Sequence, residues 1–301
     1  MQPEIVHDDF RYVIRPDSVV HQVATGMAFT EGPAWVEAEQ CVLFTDIPNN
    51  AIMRWSASEG LGLYIANSHF AIGLTLDRED RLIACEHTTR RLTRYERNGR
   101  ITVLANSYRG HVLNSPNDVV VRSSDGRIFF TDPPFGVRQE DGQLHGYQQA
   151  MEYGTCGIFC VEDDPPTLRL VTDAIYRPNG LCFSPDEQIL YVSDSSERYH
   201  QVYTLRMQPD HTAIDPQVFF VMPAGVPDGM CVDSEGRLYT AGLDGVYVCT
   251  ANGTLLGKLP CPEMVTNCCF GGSGGHTLFM TAGSSLYAIE LASTGFSAVI
   301  Q

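Results

Sequence analysis

PNGLCFSPDEQILYVSD, residues 178–194, opens on a Pro-Asn-Gly turn and runs into an apolar strand. An acidic turn follows, and then a second apolar strand ending in Ser-Asp. Runs of this length, rich in Leu, Ile, Val, Tyr and Phe and bounded by Pro, Gly, Asp and Asn, read as a β-hairpin. The same pattern recurs five more times, as EGPAWVEAEQCVLFTD from Glu31, IGLTLDREDRLIACEH from Ile72, PNDVVVRSSDGRIFFTD from Pro116, PDGMCVDSEGRLYTAG from Pro227 and TNCCFGGSGGHTLFMTA from Thr266. Aligned on Gly32, Gly73, Asp118, Gly180, Gly229 and Cys268, the copies are spaced 41, 45, 62, 49 and 39 residues apart. A period of about 40–50 residues with several strands per repeat is the signature of a β-propeller. A β-sandwich gives no reason to repeat one hairpin six times.

The expected fold is therefore all-β: a six-bladed propeller with four-stranded blades around a central metal-binding channel, formed by residues 1–301 as one domain. The last copy ends soon after SLYAIEL, and Val19–Met27 precedes the first. This N-terminal segment is expected to supply the outer strand of the last blade and so close the ring without a bare edge.

Composition narrows the function. Of the 301 residues 44% are hydrophobic and 19% charged, which suits a folded core, and the net charge of −16 repels phosphate backbones and anionic lipid. Nucleic acid and membrane are thus not expected partners, and no stretch reaches the ~18 apolar residues of a membrane span. Met1–Val20 carries charges where a secretion signal needs an apolar core, which reads as cytoplasmic. Cys41, Cys85, Cys182, Cys231 and Cys249 stand singly in apolar runs, and no two cysteine pairs have zinc spacing, so the ten cysteines read as thiols.

In a propeller the innermost strands all start at one face of the channel, so the residues at those starts converge there. They are Glu31, Ile72, Asn117, Asn179, Asp228 and Asn267, five of them oxygen donors. One Glu, one Asp and amide carbonyls, without His or Cys, suit a hard cation such as calcium. Asn and Asp before glycine also simply make turns, but Glu31 is a poor turn former in the same repeat position. Glu31, Asn179, Asp228 and Asn117 are the expected metal ligands, and Asn267 a turn or supporting residue. Calcium is the first choice, with zinc, manganese, magnesium and iron(II) as alternatives.

The spellings EGPAW, SPNDVVV, FFTDPPFG, RPNGLCFSPDEQILYVSD, PDGMCVD and TNCCFGG resemble the gluconolactonase and senescence-marker-protein-30 family, across all six repeats. NSPND, TDPPFG and ACEHTTRRLTRY look more like the bacterial gluconolactonases than the animal proteins. The resemblance implies a divalent cation held by Glu31, Asn179 and Asp228, with Asn117 touching metal or substrate. Animal members carry an Arg where this chain has Ser115, so their mode of holding the sugar does not transfer.

The function expected from this resemblance is metal-dependent hydrolysis of a small sugar lactone such as gluconolactone, by a monomer or homodimer. Asp228 is the expected base, since a carboxylate touching metal and water needs no separate residue. Hydrolysis of phosphotriesters and a non-enzymatic propeller with a structural metal are the alternatives. A serine nucleophile is not expected. His87, Asn117 and Tyr153 are expected to face substrate, and Asp46, Asp132 and Asp194 to orient ligands or cap turns. The long 133–155 insertion of blade three reads as a lid, with His145 and Tyr147 as further sugar contacts; deleting 138–150 is expected to raise KM.

Overall fold

Residues 1–137, 149–162 and 166–296 are described in the computed structural model of the chain. Six antiparallel sheets stand in a ring, built in chain order from the axis outward except for the outermost strands of blades five and six, which come from the start of the chain. Blade one comprises Thr30–Val36, Cys41–Asp46, Ala51–Ser56 and Gly60–Ala66, and blade two Ala71–Leu76, Leu82–Glu86, Arg91–Tyr95 and Ile101–Ala105. Blade three comprises Val119–Val121, Ile128–Asp132, Gly157–Glu162 and Thr167–Thr172, and blade four Pro178–Phe183, Ile189–Asp194, Gln201–Met207 and Ala213–Val221. Met230–Val232, Leu238–Gly242, Gly245–Cys249 and Leu255–Pro260 form blade five, and Val265–Gly271, Thr277–Ala282 and Ser285–Glu290 begin blade six.

Neighbouring blades pack face to face, so a second strand is covered on both sides and reads as a continuous apolar run rather than an alternation. CVLFTD of blade one, IFFTD of blade three and TLFMTA of blade six are buried at every position. Aromatic rings fill the wedges between blades. Trp35 of blade one stacks on Phe279 of blade six with centroids 5.5 Å apart, and Phe129 of blade three meets Phe183 of blade four edge-on at 5.0 Å. Outer strands carry less of this load: Gly60–Ala66 is mostly exposed.

Ring closure follows the expectation. His21–Thr25 pairs antiparallel with Ser285–Glu290, His21 opposite Ala288, and becomes the fourth strand of blade six. The sequence reading did not foresee the chain's first residues. Glu4–Ile5 adds a fifth strand to blade five, Glu4 opposite Lys258, and the short 3-10 helix Asp8–Tyr12 buries Phe10 against Gly257. A two-residue strand has no periodicity to detect.

At the axis the inner strands lose regular pairing just where they meet. The register shifts between Glu31 and Ala34, between Ala71 and Leu74, between Pro178 and Leu181, and between Val265 and Asn267. Such bulges re-aim side chains and recur beside functional sites. Cross-blade hydrogen bonds replace the missing pairing: Thr45 donates to Ile72 O at 3.0 Å, Thr131 to Asn179 O at 2.8 Å, and Thr266 to Thr30 O at 2.8 Å. This is the structural use of the Thr that closes several of the repeats.

Candidate metal centre at the propeller axis

The residues after the ring positions are glycine in blades one, two, four and five, and their missing side chains set how tightly the inner strands approach. A Cβ on Gly180 would overlap the Asp228 carbonyl oxygen, and one on Gly229 would overlap the Asn267 side chain. The donors at the ring positions are thereby drawn toward one another.

Glu31, Asn117, Asn179 and Asn267 are buried, and Asp228 is half-buried. The Asp228 backbone is fixed by Asp228 N donating to Ala241 O at 3.1 Å, and Asn179 hydrogen-bonds its carboxylate. Asn117 is fixed by its N–H on Thr131 O and by Gly73 N on its carbonyl, both 2.9 Å. Glu31 Oε2 accepts from Gly32 N at 2.8 Å, and Asn267 also bonds to Glu31. The structure therefore brings Glu31, Asn179, Asp228 and Asn267 into one polar cluster at the channel mouth, with Asn117 in the same ring.

Asp118, which sequence reasoning passed over, belongs to this cluster. Its Oδ1 accepts from Val119 N at 2.9 Å, and Asn267 Nδ2 lies 3.5 Å from its Oδ2. Its negative charge acts on both Glu31 and Asp228. The available signal was that blade three places Asp where four other blades place glycine.

Burial sets the electrostatics. Desolvation, then the Asp228 charge, holds the Glu31 carboxyl well above its ordinary range. Desolvation, then the Asp118 charge, raises Asp228, and desolvation pushes Asp118 up to about 6. Among the described residues, none of the groups acting on Asp118 or Asp228 is a cation. Among the described residues Asp228 Oδ1 is buried without a hydrogen-bond partner.

These observations fit a divalent cation. Carboxylates crowded out of water with no basic partner, one with an unused oxygen, are groups whose charged form a cation would stabilise. Among the described residues no three Asp, Glu, His or Cys side chains form a metal-ligand group. Asn117 and Asn179 carry amide oxygens at the same ring positions, and such oxygens are hard donors of the kind calcium takes.

The remaining predicted residues occupy supporting places. Asp46, Asp132 and Asp194 each grip backbone N–H groups of the loop leading into their own blade: Asp46 those of Ala28 (3.0 Å) and Phe29 (3.3 Å), Asp132 those of Asn114 (2.7 Å) and Ser115 (2.8 Å), and Asp194 that of Tyr176 (3.2 Å). Desolvation raises Asp132 to about 7 against these bonds. Tyr153 is half-buried and donates its hydroxyl to Asp132 Oδ2, while Asn114 Nδ2 donates to that hydroxyl at 3.0 Å. His87 is fully buried, and Gly136 packs against its ring.

The insertion is tied down where it is described. Ser115 Oγ donates to Pro133 O at 2.6 Å and accepts from Gly136 N at 2.9 Å, a pairing that an Arg, which has no acceptor, could not reproduce. Arg90 bridges Leu113 O (2.6 Å) and Gln149 Oε1 (3.0 Å). His145 and Tyr147 lie outside the described residues.

The description "SMP-30/Gluconolactonase/LRE-like region" fits residues 29–284, which include all six inner strands. A gluconolactonase of Zymomonas mobilis is 28% identical over 300 residues, with 92% of this chain and 82% of that protein aligned. A pentonolactonase of Haloferax volcanii is 26% identical, with 88% and 84% aligned. The solved gluconolactonase structure from Xanthomonas campestris superposes with a TM-score of 0.90 at 34% identity, over 97% of this chain and 95% of that one. With its ring of six hairpins matched from end to end, the chain belongs to the SMP-30/gluconolactonase/LRE-like family.

Proposed function

We propose that this protein is a divalent-metal-dependent lactonase that opens a small sugar-derived lactone of the gluconolactone type to its aldonic acid. The observation carrying this reading is the cluster of Glu31, Asn179 and Asp228 at the axis, with Asp228 Oδ1 unpartnered and its carboxyl raised. A gluconolactonase and a pentonolactonase among the relatives support the reaction class.

Glu31, Asn117, Asn179 and Asp228 would hold the cation, calcium being the best match to their oxygens. When bound, a divalent cation polarises an acyl oxygen and makes a nearby water more acidic. The chain's own work is proton handling and placement. Asp228 takes the proton as water oxygen attacks the lactone carbonyl carbon, and returns it to the ring oxygen when the acyl C–O bond breaks. Asn117, besides holding the cation, would orient the substrate. Asn267 steadies Glu31 and links it to Asp118, and His87 and Tyr153 support the rim through the 133–137 loop and Asp132.

Proton release on a panel of gluconolactone, xylonolactone, arabinolactone and paraoxon, before and after chelation, tests the reading. Turnover of an aldonolactone that stops on chelation and returns with calcium is expected. Turnover of paraoxon alone would move the assignment to phosphotriesters. Binding of the cation without hydrolysis of any of them would leave a non-enzymatic propeller.

A further inference from the structure

Beneath the ring, the channel continues as a cavity of about 260 Å³ along the inner strands, from Asp118 and Asn267 to Ser123 and Glu187. Four of its lining residues are cysteines, from three successive blades: Cys182, Cys231 and the adjacent pair Cys268 and Cys269. The hydrolytic reading gives them no task.

Two of them face each other for a structural reason. Gly229 N donates to Thr266 O at 2.7 Å and locks the inner strands of blades five and six side by side. Two residues further along both strands, on the same face by the two-residue repeat of a strand, come Cys231 and Cys268. Their Sγ atoms are 3.6 Å apart, with both thiols free. A disulfide needs about 2.05 Å between sulfurs, a closure of the size that side-chain rotation supplies. Cys231 is half-buried and Cys268 buried, so Cys231 is the thiol a small reagent in the cavity meets first.

We infer that Cys231 and Cys268 are a peroxide-oxidisable dithiol that closes into a disulfide across the seam between blades five and six. Hydrogen peroxide oxidises the Cys231 thiol to a sulfenic acid with release of one water. The Cys268 sulfur then attacks that sulfur, the S–S bond forms, and a second water leaves. In total two thiols lose two electrons and two protons, and one peroxide becomes two waters. Burial holds the Cys231 thiol above its ordinary range, so the reaction is slow beside that of an activated thiol. The product is a covalent tie between two blades at the axis, where all other links among the described residues are non-covalent. This inference stands independently of the hydrolytic role.

The test treats the full native chain with hydrogen peroxide, blocks the remaining thiols, and maps peptides without reduction. Expected are the loss of two of the ten thiols and one linked peptide pair containing Cys231 and Cys268, reversed by a dithiol reductant. Cys182→Ala should keep the linked pair, and Cys231→Ala should abolish it and leave Cys268 free. Ten free thiols after treatment, over-oxidation of Cys231 without a link, or a link through Cys182 would each overturn the inference, and wild-type mapping suffices to show any of them.

Discussion

Blades two and five hold the same place in the repeat and treat it in opposite ways. At the ring position blade two presents Ile72, packed into an apolar cluster with Ile83 and Val119, whereas blade five presents Asp228, raised by burial and with an unused oxygen. Both are followed by a glycine that lets the next blade approach closely, Gly73 and Gly229. The backbone is thus common to the copies and makes the ring, while the side chain at the ring position is apolar in blade two and an oxygen donor in the other five. Blade three departs twice, with Asn117 and then Asp118 in place of the glycine.

The sharpest way to break this contrast is to remove the charge from one side of it. Asp228→Asn keeps size and turn character but removes the base, so kcat should fall by about 10²–10⁴-fold, the usual worth of general base catalysis. Circular dichroism should show the fold retained. Losing the glycine next to the ring comes second. Gly180→Ala drives a Cβ into the Asp228 carbonyl, and overpacking of this kind typically costs about 1–3 kcal/mol. A lower melting temperature and at least tenfold weaker turnover are expected.

Asp118→Asn tests the second departure of blade three. Groups that orient ligands without ligating typically change metal affinity by about 10–100-fold, which calorimetry reads directly. Smaller again is a pH effect on the metal-free protein. Asp118 titrates near 6 when folded, above its ordinary 3.8, and Glu31 and Asp228 are raised in the same sense. The folded chain therefore holds protons that the unfolded chain has released, and the stability these carboxyls contribute falls as pH rises from about 4 through about 8. Melting in chelator across that window should show the decline, and added calcium should remove it. Least of all should matter at the apolar copy: Ile72→Val should cost about 0.5–1.5 kcal/mol of stability and leave turnover unchanged.

The contrast also explains what the sequence disclosed. Six hairpins at near-constant spacing are a one-dimensional signal, so blade number, strand count and the closing role of the N-terminal segment were legible. Glu31, Asn179 and Asp228 stood out because they share a repeat position. Asp118 did not, because its effect comes from proximity to Glu31 and Asp228, which lie far away in the chain and meet only through the bulged inner strands. The same holds for Ser115, whose hydroxyl pins the Pro133–Gly136 loop, and for Arg90, which ties blade two to Gln149. Glu4–Ile5 escaped notice because two residues carry no pattern.

Calorimetric titration of calcium into the chelator-treated wild type and into a folded Glu31→Gln/Asp228→Asn variant measures the central claim itself. One bound ion per wild-type chain, absent from the variant, is the result this account predicts. Equal affinity in the two proteins would contradict it.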